Sequence, residues 1–140
     1  MGRLLSVLDA SVLIAHLDAA DAHHRRADEL LQAFSPEPLG ASPITLAEVM
    51  VGPARAGKLN LAATTLALLD VATVDLESDA PMRLAMLRAS TGLKLPDCCV
   101  LLAAERSGGV LSTFDDRLAA AAEAHGCVVL RHEQRPVTKP

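Results

Sequence analysis

The chain contains no Trp and no Tyr, and its only Phe residues are Phe34 and Phe114. Without rows of aromatic side chains, a platform stacking successive bases of a single strand is not the organising principle. No uninterrupted apolar stretch approaches the roughly 20 residues needed to cross a bilayer. Leu4 to Leu8, cut off by Asp9, is too short for the apolar part of a signal peptide. The expected setting is therefore the cytoplasm, with no membrane partner. Cysteine is scarce: Cys98, Cys99 and Cys127. An odd number with two adjacent makes a poor disulfide framework, and no Cys-x-x-Cys or Cys/His zinc spacing occurs. Buried free thiols are the expectation. A P-loop is absent as well, which removes nucleotide hydrolysis of that type. The formal net charge of −4 argues against broad coating of nucleic acid. It leaves room for a local basic rim, for which Arg25-Arg26 and the Arg55/Lys58 turn are candidates.

What is present is 140 residues, 51% of them hydrophobic, enough for one self-sufficient core and too apolar for disorder. Apolar runs alternate with helical patterns, which predicts βα units around a mainly parallel sheet of about five strands. The first strand is expected over 4–9, followed by a short helix from Ser11, read as its cap, to about Leu17. A polar helix begins at Asp21, with Ala27, Leu30, Leu31 and Phe34 inward, and a brief strand is expected over 39–41. Ser42-Pro43 reads as an N-cap with a first-turn proline. On that helix Ile44, Ala47 and Val51 share a face by their spacing, taken as inward, and Gly52-Pro53 is expected to end it. Asn60 is expected to cap a further helix to Asp70, and a third strand to follow over 71–75. A helix over about 78–90, a strongly apolar one over 96–106, a strand over 110–113, a helix over 116–125 and a strand over 127–130 complete the pattern. Residues 1–134 are expected to form a single domain and 135–140 a loose tail.

Four acids stand out against this frame. Asp9 and Asp115 end apolar runs, Asp97 opens the apolar helix after Pro96, and Glu48 shares a face with Ile44, Ala47 and Val51. A carboxylate just past a strand's C-terminal end lies on the rim where open α/β sheets bind ligands. Carboxylates gathered there repel by roughly 4 kcal/mol per close pair at a typical effective dielectric. A bound cation relieves that cost, and hard oxygen ligands suit Mg²⁺ or Mn²⁺. The chemistry implied is metal-dependent phosphodiester hydrolysis. Each acid has a structural alternative as well. Asp9 and Asp115 could be helix caps, Asp97 a first-turn acid on a helix dipole, and Glu48 half of an ion pair with an arginine such as Arg88. Asp116 reads as a cap or solvated acid, and His23 and His24 as surface residues. A phosphotransfer pocket with Asp9 as nucleophile would need a second Asp where Ser11 stands.

Leu8-Asp9-Ala10-Ser11-Val12-Leu13-Ile14-Ala15 resembles the opening motif of PIN-domain ribonucleases, and Ile44-Thr45-Leu46-Ala47-Glu48-Val49 the motif that supplies their Glu. Lys94-Leu95-Pro96-Asp97-Cys98-Cys99 with the apolar run after it resembles the third motif, and Thr113-Phe114-Asp115 the fourth. Cys98 departs from the small residue usual there, and Asp116 adds an acid beside the fourth motif. The likeness spans nearly the whole chain, and its size and order are similar to VapC-type toxins of bacterial toxin–antitoxin pairs. It implies a three-layer α/β/α PIN-like fold and an endoribonuclease using Mg²⁺, with Mn²⁺ as a possible substitute. Asp9, Glu48, Asp97 and Asp115 would be the metal-binding and catalytic acids, supported by the Ser11 and Thr113 hydroxyls and more distantly by Asp116. Cleavage would leave a 5′-phosphate and a 3′-hydroxyl. The resemblance also implies an RNA substrate, a homodimer, and a small antitoxin whose tail blocks the acids. Contact surfaces for those partners could lie around Leu30, Leu31 and Phe34 or on the helix after Asn60. The alternative is a PIN-like domain that keeps the fold but acts only by binding a partner.

Overall fold

The computed structural model describes residues 5–33 and 38–130; the expectations for Phe34 and for the tail at 135–140 lie outside them. In chain order the elements are β1 (Ser6–Leu8), α1 (Ala10–Leu17), α2 (His24–Ala33), β2 (Leu39–Ala41), α3 (Pro43–Arg55) and α4 (Leu59–Leu69). Then come β3 (Val71–Thr73), α5 (Ala80–Thr91), α6 (Leu95–Arg106), β4 (Val110–Ser112), α7 (Asp116–Ala124) and β5 (Val128–Leu130). All strand pairings are parallel and the sheet order is β3-β2-β1-β4-β5. The chain thus builds outward from β1 in one direction, then returns to add β4 and β5 on the other side. That reversal falls between β1 and β4, and an open parallel sheet forms its ligand crevice at such a point.

Alternation along the strands feeds two cores. Val7 and its register partner Leu111 point to a layer containing Leu87, Leu93, Leu101, Leu102, Leu118 and Ala122 from α5, α6, α7 and the α5–α6 connection. Leu8 points the other way, to Val12, Leu13, Ala27, Leu30, Leu31, Val49 and Leu66 from α1 to α4. This is the expected three-layer α/β/α arrangement. Cys98, Cys99 and Cys127 are buried and free, and burial pushes all three thiols above their usual range. Packing is close at Gly40 in β2: a Cβ there would stand 3.0 Å from Val74 Cγ2 and 3.1 Å from Leu5 Cδ1, so those side chains would have to shift to admit one.

Several local expectations are corrected. Asp9, not Ser11, is the N-cap of α1, because the chain turns immediately after β1. α2 begins at His24 because Asp21 is occupied in a turn, its carboxylate accepting from the His23 N–H. Asn60 is already inside α4, which starts from Lys58 without a side-chain cap. Gly52-Pro53 does not end α3, which runs on to Arg55; only one short turn follows Pro53, and the final N–H groups bond to Gly52 and Pro53 carbonyls. The face of α3 bearing Ile44, Ala47 and Val51 is exposed, not inward. Thr45 and Val49 are buried instead, with Leu46 and Met50 packed beside them. Spacing identifies residues on one face and leaves open which face the neighbours cover.

Candidate acidic site at the sheet switch point

Asp9 follows β1 directly and is 5% exposed. Its Oδ1 accepts from the Ala10 N–H at 2.8 Å. Its Oδ2 accepts from two hydroxyls, Ser11 Oγ at 2.8 Å and Thr113 Oγ1 at 2.7 Å. Both hydroxyls are themselves held, because Ser11 Oγ accepts from the Phe114 N–H at 3.2 Å and Thr113 Oγ1 from the Asp115 N–H at 2.9 Å. The β1 and β4 ends are therefore stitched together across the switch point, and the Asp9 carboxylate has little rotational freedom. A hydroxyl that accepts one bond can donate its single hydrogen to Asp9, so the network has one consistent direction.

Asp115 is the N-cap of α7, its Oδ1 accepting from Arg117 N–H at 2.9 Å and Leu118 N–H at 3.1 Å. Both Asp9 and Asp115 thus cap helices, as their structural alternatives proposed, while standing at the rim where the site was expected. Asp97 occupies the first turn of α6 and is partly buried. Its carboxyl is pushed up to about 6, first by burial, then by the negative charges of Asp9, Asp115 and Glu48, with Lys94 opposing. Glu48 is exposed on α3, yet its carboxyl is also raised, by local desolvation and by Asp9. Its expected partner Arg88 donates instead to the Leu93 carbonyl at 2.6 Å. Four acids from four separate segments therefore share one field. Asp116 lies exposed on the next residue of α7 and is not among the groups acting on Asp97.

The donor set is all hard carboxylate oxygen and its members repel one another, which fits Mg²⁺ or Mn²⁺ in kind. Among the described residues no three His, Cys, Asp or Glu side chains stand close enough to hold an ion as they are oriented. What is formed is a coupled set of carboxylates around a fixed Asp9, and not a closed cage. Glu48 also opens onto a groove of about 490 Å³ between α1 and α3, lined by Ile14, Leu17, Val49, Pro53 and Lys58.

Two features were not visible in the sequence. The His23 ring stacks on Phe114, next to Asp115, with centroids 5.0 Å apart and planes 27° apart. Nothing local signals a contact between residues so far apart in the chain. His24 is no plain surface residue either. Its Nδ1 lies 2.7 Å from the Ala15 carbonyl and its Nε2 3.5 Å from Asp28, which also pairs with His16 at 2.8 Å. This cluster fixes the α1–α2 corner from which His23 projects.

The PIN domain family model matches residues 6–129. No curated protein matches the chain. Among solved structures, a toxin–antitoxin complex from Klebsiella pneumoniae is similar, with TM-score 0.71, 28% identity and coverage of 91% of this chain and 97% of that one. VapC20 of Mycobacterium tuberculosis, a Sarcin-Ricin loop cleaving toxin, aligns with TM-score 0.66 and 20% identity over 89% of this chain and 98% of its own. VapBC2 from Rickettsia felis, solved with a DNA fragment from its promoter, aligns with TM-score 0.70 and 12% identity over 91% and 98%. The last two likenesses speak to the fold alone.

Proposed function

The chain belongs to the PIN domain family, and on that premise we propose that it is a metal-dependent endoribonuclease acting as the toxin of a toxin–antitoxin pair in the cytoplasm. The observation that carries the reading is the gathering of Asp9, Glu48, Asp97 and Asp115 at the β1/β4 switch point, where burial first, and then the charges of the other three acids, lift the Asp97 carboxyl to about 6. A protein with no use for a cation gains nothing from such repulsion. The similar Klebsiella toxin–antitoxin complex supports the pairing with an antitoxin.

Asp9, Asp97, Asp115 and Glu48 would hold Mg²⁺, or Mn²⁺ in its place. A divalent ion, when bound, makes water nucleophilic near neutral pH and offsets negative charge growing on the phosphate. Ser11 and Thr113, which donate to Asp9 Oδ2, would hold its carboxylate in one orientation while it binds the ion. Asp97, at a helix N-terminus, accepts the negative charge there with help from the helix dipole. Glu48, on the exposed face of α3, would bind the ion through water or orient the attacking water.

The partners in this reading are RNA, a second copy of the chain and an antitoxin. Leu30 and Leu31 belong to the core and are not contact surface. Leu61 and Leu68 are 65% and 83% exposed on α4, and Met82 and Met86 are 74% and 60% exposed on α5. Among the described residues, these two apolar faces and the groove beside Glu48 are candidate surfaces for a dimer and an antitoxin.

The test is cleavage of total bacterial RNA with Mg²⁺ or Mn²⁺ by the wild type and by Asp9→Asn, which keeps size and removes charge. Metal-dependent fragments absent with a folded Asp9→Asn protein are expected. No cleavage by a folded, metal-supplied, antitoxin-free wild type would favour a non-catalytic PIN-like partner-binding domain.

A further inference from the structure

Aromatic residues are rare in this chain, and the one ring pair found among the described residues stands at the acidic rim. Phe114 lies between Thr113, which donates to Asp9, and Asp115. Its own N–H is tied to Ser11 Oγ, so the ring that carries His23 is anchored to the same network that fixes Asp9. His23 is held from its own side as well. Its N–H donates to Asp21 Oδ1 at 2.8 Å and its carbonyl accepts from the Ala27 N–H at 2.8 Å. The imidazole rests with one face on Phe114 and is otherwise exposed. A ring pinned by its backbone, backed by a second ring and open to solvent is a preorganised surface for a flat ligand.

Resting on the ribonuclease reading, the geometry points to His23 as a substrate-positioning residue that stacks a nucleobase beside the scissile phosphate. Unpaired bases of RNA are taken up by stacking on aromatic and His side chains. A single ring pair can orient one base; it does not form the multi-base platform that the composition excludes. His23 does not touch the reacting atoms in this assignment and acts through the base it holds.

The experiment uses the full-length Asp9→Asn protein as cleavage-dead parent, with His23→Ala or His23→Phe added. Each is titrated in Mg²⁺ with a labelled, short, random-sequence oligoribonucleotide and with an abasic ribose-phosphate strand of equal length. His23→Ala is expected to weaken binding of the oligoribonucleotide by about 5- to 150-fold, the range of one lost stacking contact. His23→Phe restores binding, and the abasic strand binds the parent and His23→Ala alike. In the cleavage-competent chain the loss falls on KM and not on kcat. Unchanged RNA binding by His23→Ala overturns the assignment, as does an equal loss on the abasic strand or a failure of Phe to restore it. A parent that binds no RNA overturns this assignment as well; the ribonuclease reading is overturned separately, by a folded, antitoxin-free wild type that cleaves no RNA in Mg²⁺ or Mn²⁺.

Discussion

Replacing Asp97 by Asn should stabilise the metal-free protein. The Asp97 carboxyl sits at about 6 against an ordinary 3.8, a difference that corresponds to about 3 kcal/mol at full strength. Asp97 is only partly buried, so solvent screening reduces this to about 1–2 kcal/mol. Asn also forgoes the attraction between a carboxylate and the α6 N-terminus, which takes back a few tenths of a kcal/mol. The net gain expected is about 1 kcal/mol, or about 4 °C in Tm for a domain of this size.

The sign follows from proton linkage. Below the unfolded value of 3.8 the carboxyl is protonated in both states and costs nothing. Above about 6 it is ionised in both, and only the folded state bears the cost of burial and of repulsion. Wild-type stability therefore falls through this window as pH rises, and the Asp97→Asn protein lacks that part of the slope. Urea unfolding in EDTA at pH 7.5, 6 and 5 measures it, with the Asn advantage largest at pH 7.5 and about halved at pH 5. Adding Mg²⁺ should reverse the order, because a ligand that binds the folded state stabilises the protein with the intact donor set more. An Asp97→Asn protein no more stable than wild type at pH 7.5, or equally advantaged at all three pH values, would refute the reasoning.

Substitutions at two further positions separate orientation from charge. Thr113→Val removes the donor to Asp9 and strands the Asp115 N–H; it should cost about 1–3 kcal/mol in denaturant unfolding and about 10- to 100-fold in RNA cleavage, as loss of a ligand's hydrogen-bond support does. Asp115→Asn should retain the α7 cap, since Asn caps as well as Asp, and lose cleavage, whereas Asp115→Ala should lose cleavage and also about 1 kcal/mol of stability; equal stabilities for the two variants would count against the cap, and full cleavage by either against the site role.

The strand ends and the acids were legible because each is signalled within a few residues. Asp9 and Asp115 terminate apolar runs, and Asp97 follows the proline that opens α6. Sheet order was not legible, since parallel crossovers leave no mark on which strand is next to which. The α3 face was misjudged for a related reason. Ile44, Ala47 and Val51 do share a side with Glu48, but α3 packs against α1, α4 and α6 through Thr45 and Val49. Which stripe is inward depends on neighbours that the local sequence does not contain. The His23–Phe114 stack is invisible for the same reason.

The alternatives that the sequence posed for Asp9 and Asp115 are not exclusive. As caps, both carboxylates are oriented by hydrogen bonds from the first turn of a helix, and those bonds fix their direction before any ligand arrives. A side chain held that way loses less freedom on binding an ion than one on an unrestrained loop. The parallel strand–helix junction thus supplies a carboxylate, a rigid mount and a position on the rim from a single local motif, and the fold places two such junctions side by side at β1 and β4. Asp97, raised to about 6 by burial and then by the charges around it, is where the electrostatic cost of that juxtaposition is registered. Its substitution, unlike that of either cap, should increase the stability of the metal-free fold while removing function.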